Sequence, residues 1–219
     1  HNVSFDLRRG RTYAFVGPTG GGKTTTASLI ARLYDATNGT ILLDGRDIRS
    51  YNPCERALKI GFILQEPVLF SGTVRDNIMY GNPECAGFSN DQLEQALEDV
   101  QLAGLLKRFD KGLDTPVMTS GDGLSLGQKQ IIAFMRAILR KPELLILDEA
   151  TANIDTVTEQ QLEAILKKLP ETTTRVIIAH RLNTIENADE IFFVNSGEIV
   201  AAGSFDKALN LLMHGKMES

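Results

Sequence analysis

The sequence predicts an α/β fold built on a mostly parallel sheet, and three observations lead to that class. Short apolar runs typical of buried strands recur along the chain, and segments with helical apolar spacing lie between them. Alternation of strand and helix favours parallel strands that are covered by helices on both faces. A glycine-rich loop joins the first buried strand to the first helix, which places an open backbone turn at the carboxyl edge of the sheet.

In the first third of the chain, apolar and polar residues alternate over residues 3–7 and predict a half-buried strand that ends at a turn formed by Arg9 and Gly10. A short apolar run over residues 12–16 predicts a buried strand. Helical spacing follows over residues 24–33. Further strands are expected at residues 41–43 and 60–64.

The middle of the chain changes to helical spacing, with apolar residues at Leu93, Ala96, Leu97 and Val100 and a second helix over residues 128–139. Pro142 ends that helix because proline cannot continue the backbone ladder. Strands return at residues 144–147, 175–179, 190–194 and 199–201. We therefore expect one domain over residues 1–219, with an α/β core at 1–74 and 141–219 and an inserted helical subdomain at 75–140.

Composition narrows the classes of partner. The chain has 219 residues, a formal net charge of −5, and 42% hydrophobic and 23% charged residues. An acidic balance argues against a nucleic-acid surface, which needs a basic stripe. Cys54 and Cys85 are far apart and show no metal-ligand spacing, which favours a reducing compartment. No apolar run approaches the ~18–20 residues that span a bilayer, and residues 1–5 lack signal-peptide features, so we expect a soluble chain.

A strand–loop–helix motif spans residues 17–24 and follows the phosphate-loop pattern Gly-x4-Gly-Lys-Thr. Glycines let consecutive N–H groups surround an anion, and the helix N-terminus adds partial positive charge. The alternative is a glycine-rich turn with a chance lysine, and the flanking strand and helix speak against it. Lys23 is expected on the β- and γ-phosphates and the Thr24 hydroxyl on Mg²⁺. The predicted nucleotide-binding residues here are Gly17, Pro18, Thr19, Gly20, Gly21, Gly22, Lys23, Thr24 and Thr25.

A carboxylate pair, Asp148 and Glu149, follows the apolar strand at residues 144–147. Ligands of open α/β sheets bind outside the carboxyl ends of the strands, so Asp148 is expected beside Mg²⁺. Glu149 is expected to polarise or orient the attacking water. Alone, such a pair is more often a loop of solvated charges. Together with the phosphate loop, it predicts ATP hydrolysis.

Further motifs follow one another in a fixed order along nearly the whole chain. Residues 124–128, Leu-Ser-Leu-Gly-Gln, resemble the Leu-Ser-Gly-Gly-Gln signature of ATP-binding-cassette (ABC) proteins. Gln65 looks like that family's Q-loop glutamine, residues 152–155 like its D-loop, and His180 like its switch histidine. Residues 70–78 and 148–151 resemble the exporter branch, which comprises multidrug, lipid and peptide exporters, more than importers.

The resemblance implies a phosphate-loop NTPase (RecA-like) core and a set of site residues. Glu149, His180 and Gln65 correspond to catalytic residues, and Thr24, Gln65 and Asp148 to residues on Mg²⁺. Ser125, Gly127, Gln128 and Asp155 correspond to residues that complete the ATP site of a second subunit. Each has a plainer reading: Gln65 as a polar residue at a strand end, His180 as a structural histidine, and Ser125 as a helix N-cap.

The sequence departs from the family pattern in three places. Leu126 replaces the first glycine of the signature pair. Residues 118–121, Met-Thr-Ser-Gly, lack the glutamate of the exporters' Gly-Glu-x-Gly segment. Family members also have about two strands ahead of Val3, one with an aromatic residue that stacks on adenine, so we expect an incomplete antiparallel β-lobe. Tyr13 is expected to be a core residue rather than that aromatic.

The function expected is therefore that of the nucleotide-binding domain of an ABC exporter. Its implied partners are a second nucleotide-binding domain and transmembrane domains, at the cytoplasmic face of a membrane. Three alternatives stay open. A soluble ABC ATPase that acts on DNA or the ribosome needs a coiled coil or basic stripe. A non-hydrolytic regulatory subunit has no use for Glu149, and a P-loop kinase has no use for the signature.

Overall fold

A computed structural model describes residues 2–118, 123–148, 154–178, 187–203 and 207. Its strands are β1 (Thr12–Val16), β2 (Leu42–Leu43), β3 (Arg46–Asp47), β4 (Ile60–Ile63), β5 (Gly72–Thr73), β6 (Pro116–Val117), β7 (Leu144–Asp148), β8 (Thr174–Ile178), β9 (Glu190–Asn195) and β10 (Glu198–Ala201). Its helices are α1 (Lys23–Ile30), α2 (Pro53–Lys59), α3 (Val74–Met79), α4 (Asn90–Asp99), α5 (Leu126–Leu139) and α6 (Thr156–Lys167). Short 3₁₀ segments lie at Ile48–Ser50, Pro83–Cys85, Ala103–Arg108 and Gly112–Asp114.

The chain forms two compact units. One comprises residues 1–56, 143–149 and 170–219, and the other residues 57–142 and 150–169. We call them the sheet unit and the helical unit. Whether residues 75–140 fold as a separate subdomain, as the sequence predicts, stays a prediction.

The sheet unit is organised around strands in the order β10-β9-β1-β8-β7. β1 pairs in parallel with β8 and β9, and β7 pairs in parallel with β8, whereas β10 returns antiparallel to β9. Alternate side chains of β1 point to opposite faces. On one face Tyr13 and Phe15 pack against Phe192, and on the other Ala14 and Val16 pack with Phe193. The mainly parallel sheet predicted from the sequence is confirmed.

One expected strand is absent. Residues 3–7 contain no strand, although Phe5 and Leu7 are half-buried and their neighbours are exposed. Phe5 packs on Phe15 and Phe192, with ring centroids 6.0 and 5.2 Å apart. The alternation in the sequence therefore reports burial correctly. The strand prediction was wrong because no described strand hydrogen-bonds to this segment, and a ladder is what makes a strand.

The helical unit is built around α5. Its apolar face is fully buried, and α3, α4 and β4 pack against it. Leu93 and Leu97 of α4 are fully buried, as expected for packing residues. After α4 the chain continues into the 3₁₀ segment Ala103–Arg108. Among the described helices, none is both long and apolar enough to cross a bilayer.

Candidate functional site

The phosphate loop joins β1 to α1 in the sheet unit. A Cβ atom on Gly17 would lie 2.0 Å from the Val194 carbonyl oxygen, and one on Gly21 would lie 2.7 Å from it. The Gly21 carbonyl also accepts a hydrogen bond of 3.2 Å from the Gly197 N–H, in the turn between β9 and β10. Two glycines are thus required by the close approach of β9, which supports the loop from behind.

The amino end of α1 has neither a side-chain cap nor an acidic residue beside it among the described residues. Its N-cap, Gly22, is in the left-handed region at φ 108°, no side chain caps the helix, and no acidic residue lies in its first turn. Thr24 and Thr25 are exposed. The lack of a side-chain cap and the helix dipole therefore favour a negatively charged ligand at this end.

Lys23 is folded onto the loop it belongs to. The residue is 5% exposed, and its Nζ donates to the carbonyl oxygens of Gly17 at 2.8 Å and Pro18 at 3.0 Å. These bonds hold the ammonium group against the backbone of the loop. The geometry suits a lysine that neutralises phosphate oxygens.

Sheet register aligns the ends of three strands at this edge. Phe15 of β1 is level with Ile178 of β8, and Ile178 is level with Asp148 of β7. Asp148 is 5% exposed, and α1 packs on β7 and β8. The phosphate loop and Asp148 therefore lie at the same carboxyl edge of the sheet. Glu149 and His180, which follow β7 and β8 in sequence, lie outside the described residues.

The donor set at this edge fits a magnesium ion that is held largely by phosphates. Thr24 offers a hydroxyl and Asp148 a carboxylate, the hard oxygen ligands that Mg²⁺ prefers. No group of three or more His, Cys, Asp or Glu side chains lies together in the described part of the chain. A metal here would need oxygens from a bound nucleotide to complete its coordination.

Gln65 lies in the helical unit, two residues after β4. Its side chain is exposed. Its backbone carbonyl oxygen accepts a hydrogen bond of 3.2 Å from Nε2 of Gln130, a fully buried residue on α5. The backbone of the Q-loop is thus attached to the helix that begins at the signature.

The signature residues form the start of α5. Ser125 is the N-cap: its hydroxyl accepts from the Gln128 N–H at 3.1 Å, and the Gln128 side chain accepts from the Ser125 N–H at 2.9 Å. This reciprocal capping box satisfies two donors and leaves the other N–H groups of the first turn available. Leu126 is half-buried, so it does not point freely into solvent. Ser125 is therefore a helix N-cap, and its role toward a nucleotide stays a prediction.

Arg108 links the signature to Asp155. The Gln128 amide donates to the Arg108 carbonyl at 2.8 Å, and Nη2 of Arg108 lies 3.2 Å from Oδ1 of Asp155. Asp155 also caps α6, accepting from the Thr158 hydroxyl at 2.7 Å and N–H at 3.1 Å. The hydrogen bonds from Thr158, and then the charge of Arg108, lower the pKa of Asp155. Its carboxylate therefore stays charged to lower pH than usual.

Two polar side chains of α5 contact the Q-loop backbone and were not predicted from the sequence. Besides Gln130, Arg136 donates to the carbonyl oxygens of Asn77 at 2.7 Å and Val68 at 3.0 Å, and its guanidinium lies 5.7 Å from the Phe70 and Tyr80 ring centroids. Burial lowers the pKa of Arg136 to about 10. A detectable signal existed: Gln130 shares the i, i+4, i+7 spacing of Phe134 and Ala137, so it is a polar residue on an apolar helix face.

Comparisons with known proteins decide the family. A family model described as "ABC transporter" matches residues 1–152. The chain belongs to the ABC transporter family. The resemblance inferred from the motifs is confirmed, and so is the phosphate-loop NTPase fold. The domains of this family bind and hydrolyse ATP, so the prediction of an ATPase domain is confirmed as well.

Relatives of this ABC domain are named as transporter components. An uncharacterized ABC transporter ATP-binding protein of Bacillus subtilis is 45% identical over 208 residues, 95% of this chain and 34% of that protein. An ATP-dependent lipid A-core flippase of Photobacterium profundum is 41% identical over 203 residues, 93% of this chain and 34% of the flippase. The chain spans about a third of the length of these relatives.

A solved structure shows the same fold. A bacterial Atm1-family ABC exporter with ATP bound superposes with a TM-score of 0.83 at 36% identity, covering 99% of this chain and 37% of the exporter chain. The exporter-type ABC domain predicted from residues 70–78 and 148–151 agrees with these names.

Proposed function

We propose that this domain binds Mg²⁺-ATP and hydrolyses it to drive export through a transmembrane partner. The observation that carries the proposal is the shared carboxyl edge, where the phosphate loop, the pre-positioned Lys23 and Asp148 converge. Lys23 and the N–H groups at the start of α1 bind the triphosphate. Thr24, Asp148 and Gln65 are the residues that would hold Mg²⁺, which would supply positive charge to the phosphate oxygens.

Hydrolysis is assigned to the residues after β7 and β8. We propose that Glu149 accepts a proton from the water that attacks the γ-phosphorus, while the bond to the ADP oxygen breaks. His180 donates a hydrogen bond to the γ-phosphate as its charge redistributes. The register that aligns the ends of β7 and β8 supports this pairing of roles.

A second copy, or a related domain, completes each site. Ser125, Gly127 and Gln128 form the start of α5, where the capping box uses the N–H groups of Ser125 and Gln128 but not that of Gly127, and Asp155 is held beside them through Arg108. We infer that this surface binds the triphosphate held by a partner domain. Two ATP molecules then lie between two domains, and hydrolysis lets the two domains separate.

The transmembrane partner is proposed to bind the exporter-like segment. Phe70 and Tyr80 are 41% and 53% exposed, with ring centroids 4.2 Å apart above Arg136, and Val68 beside them is 61% exposed. Adjacent exposed apolar side chains mark an interaction surface. We therefore propose that the domain lies at the cytoplasmic face of a membrane.

Two substitutions test the proposed function. Lys23→Ala is expected to weaken Mg²⁺-ATP binding, because a buried charge that pairs with phosphate is removed. Glu149→Gln is expected to retain binding and to lower hydrolysis at least about 10²–10³-fold, the scale for losing one transition-state group. Binding is measured by calorimetry and hydrolysis by phosphate release, with the exposed Lys107→Ala as control. Equal affinity of Lys23→Ala and the parent protein contradicts the proposal.

A further inference from the structure

Gln130 is a buried amide whose nitrogen donates a hydrogen bond while its oxygen accepts none among the described residues. The residue is 0% exposed, in the second turn of α5. Its Nε2 donates to the Gln65 carbonyl at 3.2 Å, while its Oε1 is buried and has no hydrogen-bond partner among the described residues. Rotating the amide by 180° places Oε1 against the Gln65 carbonyl oxygen, so the observed orientation is the one the contact requires.

This arrangement is poor for stability alone. A buried acceptor without a partner lowers the stability of the fold, whereas an apolar side chain of the same length has no such group. The neighbouring positions on this face, Phe134 and Ala137, are apolar and buried. The amide therefore contributes a specific contact at a position whose neighbours on the same helix face are apolar.

The contact joins the two functional elements of the helical unit. α5 begins at Leu126, directly after the N-cap Ser125, and Gln130 lies one turn further along the same helix. Gln65 follows β4, which packs on α5. Arg136, two turns beyond, holds the Val68 carbonyl at 3.0 Å. The backbone after β4 is thus attached to the signature helix at two points, and Gln130 holds the one nearer the signature.

We propose that Gln130 is a positioning residue that fixes the backbone of Gln65 to the signature helix, so that the Q-loop and the signature move together. It touches no substrate atom and acts through Gln65. Its part in catalysis rests on the proposed function, whereas its part in holding the Q-loop does not. Oε1, the acceptor of the amide, has no partner among the described residues and is able to accept a hydrogen bond from a Q-loop N–H.

Gln130→Met tests the proposal, because methionine keeps the length of the side chain and removes both polar groups. Amide hydrogen exchange over residues 64–70 of the nucleotide-free protein is expected to become several-fold faster. The melting temperature is expected to equal or exceed that of the parent protein. The kcat for ATP is expected to fall about three- to tenfold, the factor for one hydrogen bond, with KM within about twofold. Gln160→Met, on the exposed face of α6, is the control and leaves all three unchanged.

A structural role predicts a different pattern. A lower melting temperature with unchanged exchange over residues 64–70, or an unchanged kcat, overturns the proposal. Gln130→Leu, which removes the same two groups with a different shape, must agree with Gln130→Met, and disagreement overturns it too. If the parent chain fails to bind or hydrolyse ATP, the proposed function is refuted, while exchange and melting still decide whether Gln130 holds the Q-loop.

Discussion

At the scale of single residues, the phosphate loop needs glycine where a side chain would clash with the backbone of β9. The Val194 carbonyl lies so close to Gly21 that a Cβ atom there would be 2.7 Å from the oxygen. Backbone atoms of a central strand cannot yield as a flexible side chain can. Gly104 has open space around its Cβ position, whereas Gly21 does not. Comparing substitutions at these two glycines therefore separates a steric clash from the backbone preference of glycine.

Gly21→Ala is expected to destabilise the sheet unit by about 1–3 kcal/mol, the usual cost of overpacking. It is also expected to weaken ATP binding, because the loop must move away from β9. Thermal melting and ATP titration measure the two effects. Gly104→Ala is the control, since nothing lies within 4 Å of its Cβ position and its φ is not positive. Equal melting temperatures for the two variants argue against support of the loop by β9.

Leu126 is the residue at which this chain departs from the family signature. It lies in the first turn of α5 and is half-buried. If its side chain obstructs the surface that receives a partner's triphosphate, Leu126→Gly raises ATP hydrolysis by the homodimer despite the helix propensity it loses, about 1 kcal/mol relative to alanine. We expect a rise, measured as phosphate release at saturating ATP. An unchanged rate means that the backbone N–H groups suffice and a homodimer works with leucine.

At the scale of elements, α5 carries both a cap and a proposed anion-binding end. Aspartate is as good an N-cap as serine, but it places a negative charge at the helix start. We therefore expect Ser125→Asp to leave the melting temperature unchanged and to abolish ATP-dependent dimerisation, because the added carboxylate repels a partner's triphosphate. Melting and light scattering measure these separately. Ser125→Ala is the contrasting variant, which loses the cap and lowers the stability by about 1 kcal/mol. Retained dimerisation in Ser125→Asp contradicts the proposed role of the signature.

Much of this element-level organisation could be predicted from the sequence. The apolar runs at residues 12–16, 144–147 and 175–179 became β1, β7 and β8, because buried parallel strands are continuous apolar segments. The position of the phosphate loop and Asp148 at one sheet edge follows from those strands. The roles of the site residues stay predictions, and Glu149 and His180 lie outside the described residues.

The rest depends on contacts that no local pattern encodes. Arg108 and Asp155 are 47 positions apart, and both are exposed charges of a kind found on any surface. Asn77, which binds the Phe70 backbone and Arg136, is an unremarkable polar residue in the sequence. The strand prediction for residues 3–7 was wrong because their alternating burial arises from packing on Phe15 and Phe192 and not from hydrogen bonds to a neighbouring described strand.

At the scale of the whole molecule, each proposed site needs two copies. The phosphate loop and the signature belong to different compact units, and the signature of one copy is proposed to serve the ATP of another. We expect the purified chain to be monomeric without ATP, and its specific ATPase rate to rise with protein concentration. Light scattering and phosphate release over a hundredfold dilution series measure this. Glu149→Gln with Mg²⁺-ATP is expected to accumulate the dimer, and Lys23→Ala is the control that does not. A specific rate independent of concentration, from a proven monomer, contradicts the shared site.

The register of the sheet restricts which sequence changes the fold can accept over evolution. Phe15, Ile178 and Asp148 stand level across three strands, and each strand ends where a proposed functional residue begins. A substitution inside β8 changes the contacts of one side chain and leaves the alignment of the three strands intact. An insertion or deletion of one residue inside β8 shifts the rest of the strand by one step and turns every side chain after it to the opposite face. Point substitutions can therefore accumulate along these strands, while length changes have to be confined to the connections on the far side of the sheet.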